Sequence, residues 1–348
     1  MILNFILQLG LLIGTYGNNV YSTTYDQSTM EFGTMTPAPG LDCSYICRSN
    51  DGKAFFSVSE NKHPGAYSFD GKLAQTAYID EVVGEYPCYI TAFPGSNYVL
   101  TANYGSGTVT VLDTKDNVIT GCAQTIKFTG SGPVTKNDSQ IHARAHQCKP
   151  IPASMGGRGK WLLVNDLGSD KIRVCKYRKH AKMPFKEISR FTADAPKGSG
   201  PRHMEFNEEK GLLYIITELS GEVLVYKLRG PRLKLIQTVQ ADEVGAGASA
   251  DIHIHPTGKW LYVSHRIAND GISIFKIGDD GLLEKVQYLH TGIHPRNFAV
   301  SPDGNTLLVA CMESKCVQVY PIDNTTGAVG PVAKTLELED RPVCLLFL

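Results

Sequence analysis

Arg202 and Glu218 stand at the two ends of a short segment that has the pattern of a β-hairpin. Arg202 lies in an apolar run, 201–206, and Glu218 follows a second run, 211–217, after a polar turn at 207–210. The start of the first strand and the end of the second lie side by side in an antiparallel hairpin. The hairpin therefore brings a guanidinium and a carboxylate to one edge, where they could bind an anion and move a proton.

Two further residues, Arg266 and His146, could join this pair if their segments fold in the same way. Arg266 follows the apolar run 260–265 as Glu218 follows its own run, and His146 enters a strand-like segment one repeat earlier. An imidazole or a carboxylate can activate water or protonate a leaving group. The residues alone leave structural explanations open, since arginine–carboxylate pairs and strand-end histidines also occur in scaffolds.

The hairpin is one copy of a repeat that extends along the whole chain. Each copy has a polar turn, an apolar run, one residue of varied chemistry and then a second run that ends in an aromatic or aliphatic residue. The period is roughly 45–60 residues, which is typical of four-stranded propeller blades. The positions predicted to be equivalent to one another are Glu60, Tyr104, Asp166, Glu218, Arg266 and Met312, with 12–16 as a seventh copy.

The two ends of the chain predict how the repeat closes. The first copy begins at the second strand of a blade, and residues 341–348 resemble an inner strand without successors. The C-terminal strand is therefore predicted to complete the N-terminal blade, because an open sheet edge leaves hydrogen bonds unsatisfied. The predicted fold is an all-β, seven-bladed propeller with four antiparallel strands per blade. It forms a single domain over 1–348, in which 1–10 is left as an extension.

Composition excludes several classes of function. The formal net charge is zero, which gives no electrostatic support for a nucleic-acid or acidic-membrane partner. The nine cysteines include no Cys-x-x-Cys pair, so we expect buried, reduced thiols and a cytoplasmic location.

The apolar first ten residues lack the basic start of a secretion signal. Histidines and carboxylates show no metal-ligand spacing, so neither a metal nor a cofactor is expected. The oligomeric state is not readable.

These motifs, taken in order, resemble the seven-bladed propeller lactonases, a family that includes propeller-type 6-phosphogluconolactonases and fungal 3-carboxy-cis,cis-muconate cyclases. The resemblance covers residues 11–348, and the tryptophan–aspartate signature of the commonest propeller repeats is missing. The segments that carry the resemblance are 13–16, 102–105, 165–171, 200–203, 218–220, 264–266, 295–298 and 342–344.

The resemblance implies a catalytic set around the central mouth of the propeller, made of His146, Arg202, Glu218 and Arg266. The usual His-x-His motif of the family reads Arg144-Ala145-His146 here. The resemblance also implies a reaction, the metal-free hydrolysis of a small anionic lactone. Glu218 or His146 could act as the base and the other as the acid, while the arginines hold the anionic substrate or face the oxyanion.

Three more residues are predicted to line the mouth and contact substrate: His203 and Arg296 at strand starts, and Asp166 at the repeat position of Glu218. The preferred substrate is 6-phosphoglucono-δ-lactone, hydrolysed to 6-phosphogluconate. The alternatives are a cycloisomerase that forms a muconolactone, and a propeller that binds a ligand or partner without catalysis. Loops between blades at 114–138 and 178–198 are expected to decide which substrate fits.

Overall fold

Seven antiparallel sheets form the part of the chain that the structure describes, which is residues 8–61, 63–80, 83–134 and 138–348 of a computed structural model. The sheets follow one another along the chain, and the inner strand of each contacts the inner strand of the next. The last inner strand contacts the first, so the sheets form a closed ring of seven blades. The predicted fold class is confirmed.

The first four blades contain strands β1–β17 and the closing strand β30, and in two of these blades the outer strand is divided into two pieces. Blade 1 consists of β30 (Arg341–Phe347), β1 (Gln8–Tyr16), β2 (Asn19–Asp26), β3 (Glu31–Phe32) and β4 (Thr36–Pro39). Blade 2 consists of β5 (Cys43–Arg48), β6 (Ala54–Ser59), β7 (Gly65–Asp70) and β8 (Gln75–Ile79), and blade 3 of β9 (Pro87–Ala92), β10 (Tyr98–Asn103), β11 (Thr108–Lys115) and β12 (Val118–Lys127). Blade 4 consists of β13 (Ala145–Pro150), β14 (Trp161–Asp166), β15 (Lys171–Tyr177), β16 (Phe185–Glu187) and β17 (Ala193–Asp194).

The remaining three blades have four strands each and contain strands β18–β29. Blade 5 consists of β18 (Pro201–Asn207), β19 (Leu212–Thr217), β20 (Glu222–Arg229) and β21 (Arg232–Gln240); blade 6 of β22 (Ser249–Ile254), β23 (Trp260–His265), β24 (Gly271–Ile277) and β25 (Leu283–His290); and blade 7 of β26 (Pro295–Val300), β27 (Thr306–Cys311), β28 (Cys316–Pro321) and β29 (Lys334–Glu337). Short 3-10 turns cover Leu167–Ser169 and Ser189–Phe191.

The second strand of each blade is the most apolar, because neighbouring blades cover both of its faces. All six residues of β19, for example, are buried. Strands covered on both faces read as continuous apolar runs, whereas outer strands such as β21 alternate between exposed and half-buried residues. The hydrophobic core is accordingly divided into layers between adjacent blades, such as the layer that contains Leu163, Met204 and Ile215.

The ring closes as the two chain ends predicted. Strand β1 pairs with β2 on one side and with β30 on the other, in a register that runs from Leu11↔Phe347 to Tyr16↔Arg341. Gly14 is required in β1, because a Cβ there would lie 2.4 Å from the carbonyl oxygen of Cys43 in the next blade. The C-terminal strand therefore completes the N-terminal blade, and the contact between blades 1 and 2 tolerates no side chain at Gly14.

Two stretches expected to be loops between blades also contain outer strands. The stretch 114–138 contains β12, and 178–198 contains the short strands β16 and β17. The sequence did not mark these strands, because outer strands are half exposed and carry little apolar alternation. Among the described residues, no helix is long and apolar enough to cross a membrane.

Candidate active site

A β-bulge interrupts the inner strand of every blade close to its first residue. In blade 5, Pro201 pairs with Thr217 and His203 pairs with Ile216, so Arg202 is an extra residue with no partner across the ladder. A bulge bends the strand and redirects the side chain of the extra residue. The extra residues form what we call the bulge ring: Ser44, Cys88, His146, Arg202, Ala250 with Asp251, Arg296 and Val343.

The bulge ring explains why three of the residues expected at the mouth lie there. His146, Arg202 and Arg296 are each the extra residue of their own blade, and the bulge turns each side chain toward the axis. A narrow cavity in the hub is lined by Arg202, Arg296 and other bulge-ring residues. We use the word mouth for this end of the hub.

A second set of side chains reaches the mouth from the residues that follow the second strands. In blade 5 the Glu218 N–H donates to the carbonyl of Gly200, which directly precedes the inner strand. The corresponding backbone hydrogen bond recurs in other blades, and its donor marks the residue that is structurally equivalent to Glu218. The donors in the other blades are Glu60, Tyr104, Leu167 and Met312.

Glu218 and Arg202 form the closest ion pair of the mouth. The Arg202 Nε–H donates to Glu218 Oε2 at 2.6 Å, so the pairing inferred from the hairpin is present. Arg266, one blade further on, places Nη2 3.5 Å from the same carboxylate oxygen, and its Nε–H donates to the carbonyl of Ala248. One carboxylate thus lies between two guanidiniums that belong to different blades.

His146 completes this group from the preceding blade. Its Nε2 lies 3.9 Å from Glu218 Oε2, which is too long for a direct hydrogen bond. Its Nδ1 lies 3.7 Å from the thiol of Cys88, and that thiol donates to the His146 carbonyl oxygen. The Tyr104 ring meets the imidazole edge-on at 5.7 Å between centroids. The structure therefore brings all four predicted catalytic residues together.

The electrostatics of the group keep Glu218 ionised and His146 neutral. Burial alone would raise the pKa of Glu218, but Arg266 and Arg202 outweigh it and the pKa is lowered. Burial, and next the Arg202 guanidinium, hold the pKa of His146 well below its usual range. Burial also lowers the pKa of Arg266 to about 9, against the raising effect of Glu218. At neutral pH the group contains two guanidinium cations, one carboxylate and one neutral imidazole.

Arg296, predicted at a strand start, forms a second charged group on the opposite side of the mouth. Its Nη2 donates to both oxygens of Glu60, at 3.1 and 3.2 Å, and its guanidinium lies over the Tyr16 ring. The Tyr16 hydroxyl donates to Glu60 Oε2 at 2.6 Å. His294 lies between the two groups, with Nε2 3.5 Å from Nη1 of Arg266. Burial, and next Arg266, lower the pKa of His294 to about 3.

His203 lines the narrow hub cavity beside Arg202 and is almost fully buried. It is 4% exposed, its Nε2 lies 3.2 Å from Arg202 Nη1, and its Nδ1 lies 2.7 Å from Asp251. It therefore contacts an arginine of the site and is placed to support it. Burial, and next the Arg202 guanidinium, lower the pKa of His203 to about 4, so the imidazole is neutral.

Asp166 does not reach the mouth, so its predicted position among the residues that line the mouth is wrong. Asp166 pairs with Ala145 as Thr217 pairs with Pro201, so Leu167 occupies the position of Glu218. A shift of one residue turns a side chain to the opposite face of a strand. The Asp166 carboxylate is fully buried inside blade 4, where it accepts from Nε and Nη2 of Arg173.

Three mouth residues were not named as site residues from the sequence: Tyr16, Glu60 and His294. The repeat marked Glu60 as an equivalent position and 12–16 as a copy, so the signal for the first two was present. His294 precedes the inner strand of blade 7 and carries no repeat signal. The described residues contain no group of three or more His, Cys, Asp or Glu side chains arranged to hold a metal ion.

Comparisons with known proteins agree with this fold. A family profile described as "Lactonase, 7-bladed beta-propeller" matches residues 10–347. A 6-phosphogluconolactonase from Formosa agariphila is 31% identical over 88% of this chain and 89% of that protein. A Bacteroides fragilis structure described provisionally as a 6-phosphogluconolactonase has a TM-score of 0.90 and 36% identity, covering 98% of both chains. The periplasmic gluconolactonase of Pseudomonas aeruginosa has a TM-score of 0.90 and 26% identity, covering 98% of this chain and 99% of that one. The chain therefore belongs to the seven-bladed β-propeller lactonases, a family of lactone-hydrolysing enzymes.

Proposed function

We propose that the protein hydrolyses 6-phosphoglucono-δ-lactone to 6-phosphogluconate at this mouth. The observation that carries the proposal is Glu218 between Arg202 and Arg266 with the neutral imidazole of His146 beside it. These are the groups that ester hydrolysis requires: an acceptor for the proton of water, and a cation for the oxyanion. Relatives named 6-phosphogluconolactonase support the choice of substrate.

The charges of the mouth favour an anionic substrate. Three guanidiniums, those of Arg202, Arg266 and Arg296, face two carboxylates, those of Glu218 and Glu60. The histidines beside them are neutral, so one positive charge remains in excess. A buried positive excess attracts an anion strongly, because little water is present to screen it.

The mouth divides into two sides with different tasks. We assign the phosphate to the side formed by blades 6 and 7, where Arg266, His294 and Arg296 follow one another. Arginine suits this task because its planar fork donates two parallel hydrogen bonds to phosphate oxygens. The lactone carbonyl then lies on the side formed by blades 4 and 5, beside Arg202, Glu218 and His146.

His146 and Glu218 together are suited to hold the attacking water. The Nδ1 of His146 lies next to a thiol that donates elsewhere, so we place the ring proton on Nδ1 and leave a lone pair on Nε2. Nε2 and Glu218 Oε2, 3.9 Å apart, are then both acceptors. A water that donates one hydrogen to each directs its own lone pair at the carbonyl carbon.

The reaction follows from these positions. As water attacks, its proton passes to His146 Nε2, and the carboxylate of Glu218 stabilises the imidazolium that forms. The guanidinium of Arg202 stabilises the oxyanion of the tetrahedral intermediate. The intermediate collapses, the bond between the carbonyl carbon and the ring oxygen breaks, and His146 returns the proton to that oxygen. We propose that no metal ion takes part, because these side chains supply the base, the acid and the cation.

The test is a panel of three substrates: 6-phosphoglucono-δ-lactone, δ-gluconolactone and a carboxymuconolactone, with spontaneous hydrolysis subtracted. We expect the phosphorylated lactone to have the highest kcat/KM, and Glu218→Gln to lower it about 100-fold or more.

The matched control is Glu205→Gln, because Glu205 also pairs with a cation, Lys149, but lies further along the inner strand, away from the mouth. Equal rates for wild type and Glu218→Gln would refute the catalytic role, and a preference for the muconolactone would refute the substrate. Prior treatment with a chelator should leave the rate unchanged.

We also propose a reducing, cytoplasmic location. The cysteines that the structure describes are all free thiols, and most are buried in strands. Proteins exported to oxidising compartments generally pair such residues or lack them. Cell fractionation with an antibody against the protein tests the location, and its recovery with periplasmic or secreted markers would contradict it.

A further inference from the structure

The Arg202 guanidinium is held by three partners on two of its sides. Nε donates to Glu218 at 2.6 Å, and Nη1 donates to the carbonyl of Ala250 at 2.6 Å. Nη1 also lies 3.2 Å from Nε2 of His203. The remaining nitrogen, Nη2, has no hydrogen-bond partner within 8–61, 63–80, 83–134 and 138–348. Nη2 shares an edge of the guanidinium with Nε, so it faces the region of Glu218, where the lactone carbonyl is proposed to bind.

The contact between Arg202 and His203 constrains the tautomer of His203. A guanidinium nitrogen can only donate, so Nε2 of His203 must present a lone pair. The ring proton must then lie on Nδ1, which is 2.7 Å from Asp251 Oδ1 and donates to it. The rings of Tyr45 and Tyr89 meet the imidazole edge-on, each at 5.9 Å between centroids, and hold its plane.

Asp251 comes from the bulge of blade 6. Ser249 pairs with His265 and Ile252 with Val263, so two residues, Ala250 and Asp251, lie opposite one. This bulge supplies both groups that act on Nη1 of Arg202: the Ala250 carbonyl directly, and the Asp251 carboxylate through His203. Blades 5 and 6 therefore both contribute groups that hold the side chain of Arg202.

The Asp251 carboxylate is itself fixed from two further directions. Its Oδ2 accepts from Nδ2 of Asn297 in blade 7 and lies 2.9 Å from Nε2 of His253. The Asn297 side-chain oxygen accepts from the Leu345 N–H in the closing strand at 2.7 Å. Asp251 is 1% exposed, so water does not compete for these bonds. The chain of contacts runs from the closing strand through three blades to the guanidinium of Arg202.

We propose that Asp251 is a positioning residue for the lactonase reaction, which fixes the tautomer of His203 and thereby directs Nη2 of Arg202 at the developing oxyanion. The inference rests on the proposed role of Arg202 in that reaction. If the ring proton moved to Nε2, two N–H groups would face each other and the guanidinium would have to turn. A displacement of about 1 Å in a group that stabilises a transition state can cost about 100-fold in rate.

A purely structural role is the competing explanation, because buried carboxylate–histidine pairs also stabilise cores. The test therefore begins with a readout that needs no activity. Nitrogen-15 NMR of histidine-labelled protein distinguishes a protonated ring nitrogen from an unprotonated one, and His203→Gln identifies the signals. We expect wild type to show a protonated Nδ1 and a bare Nε2 at His203. We expect Asp251→Asn, whose amide can donate to Nδ1, to populate the other tautomer.

The kinetic experiment compares Asp251→Asn with a control variant at His253, which contacts the other oxygen of the Asp251 carboxylate. His253→Gln removes the imidazole next to Oδ2 and leaves intact the hydrogen bond that His203 Nδ1 donates to Oδ1. We expect Asp251→Asn to lower kcat about 10- to 100-fold with a smaller change in KM, and His253→Gln to lower kcat less, because the hydrogen bond between Asp251 and His203 remains. His203→Gln should retain more activity than His203→Leu, because a glutamine can donate to Asp251 and accept from Arg202.

The outcomes separate this inference from the proposed function. A wild-type signal from a protonated Nε2 would overturn the inference, whatever the activity. Equal kcat losses in Asp251→Asn and His253→Gln, in step with equal losses in thermal stability, would overturn it in favour of the structural role. Absence of lactonase activity in the wild type would refute the proposed function, and the NMR result would still decide the tautomer. If Asp251→Asn does not fold, the comparison of His203→Gln with His203→Leu decides the kinetic experiment.

Discussion

Glu218 and Arg266 follow the second strands of neighbouring blades, and Oε2 of the first lies 3.5 Å from Nη2 of the second. The contact crosses a blade boundary, as do those of Arg296 with Glu60 and of His203 with Asp251. No single blade contains the site. The mouth therefore exists only when the ring is closed, so activity is expected to be lost together with closure.

Arg266→Lys should weaken binding of a phosphorylated lactone more than binding of its unphosphorylated counterpart. Lysine keeps the charge but loses the planar fork that donates two parallel bonds to phosphate. We expect the KM for 6-phosphoglucono-δ-lactone to rise about 10-fold or more, with a smaller rise for δ-gluconolactone. Steady-state kinetics on both lactones measure the difference. Arg229→Lys, on an exposed position of blade 5, is the control. An equal rise for both lactones would place the phosphate elsewhere.

The pH profile of kcat/KM should show no loss near the usual pKa of histidine. Burial and Arg202 hold the pKa of His146 well below 6.5, and the net effect of Arg266 and Arg202 is to lower the pKa of Glu218. Both groups therefore keep their lone pairs as the pH falls through 6.5, and activity should persist well below that pH before protonation removes it. Initial rates corrected for spontaneous hydrolysis check this.

The pH profile of an Arg296→Met variant tests whether the arginines lower the pKa of His146. Arg296 is among the cations that lower the pKa of His146, so its removal should move the acidic limb toward higher pH. A wild-type limb centred near pH 6.5, with no displacement in the variant, would show that the arginines do not control His146.

Asp166→Asn should reduce stability and leave the chemistry intact. The substitution removes the charge that compensates the buried guanidinium of Arg173, whose other carboxylate partner is Glu187 at 3.2 Å. Breaking a buried pair by removing one partner costs about 3–5 kcal/mol of unfolding free energy. Urea denaturation measures the loss, and kcat at a temperature where the variant is folded should match wild type. A large fall in kcat with unchanged stability would return Asp166 to the site.

Deletion of residues 341–348 should destabilise the whole ring. The deletion removes β30, which leaves β1 without its inner partner and takes away the Leu345 N–H that Asn297 accepts. We expect the melting temperature to fall by about 10 °C or more, or the protein to aggregate, because an unpaired edge exposes hydrogen-bonding groups. Val332→Asp, at an exposed position outside the strands, should melt like wild type. An unchanged melting temperature after the deletion would mean that blade 1 does not depend on the closing strand.

The local part of this protein was readable from its sequence. Arg202 and Glu218 are close in the chain, and the hairpin that joins them follows from apolar runs and a polar turn. The seven-fold repeat and the closing strand followed from the same pattern, because strand propensity and alternation act over a few residues. The repeat placed Arg266 at the position of Glu218, and the resemblance to the propeller lactonases added His146 and Arg266 to the site.

The tertiary structure decided the rest, for two physical reasons. The second strands of blades 4 and 5 are both apolar runs, so the sequence did not reveal that Leu167, rather than Asp166, is the structural equivalent of Glu218. Ring closure also joins residues that are far apart in the chain, such as Arg296 and Glu60, which are 236 positions apart. No local pattern records such a contact, and the neutral state of His146 likewise arises only from the burial and the arginines that closure brings around it.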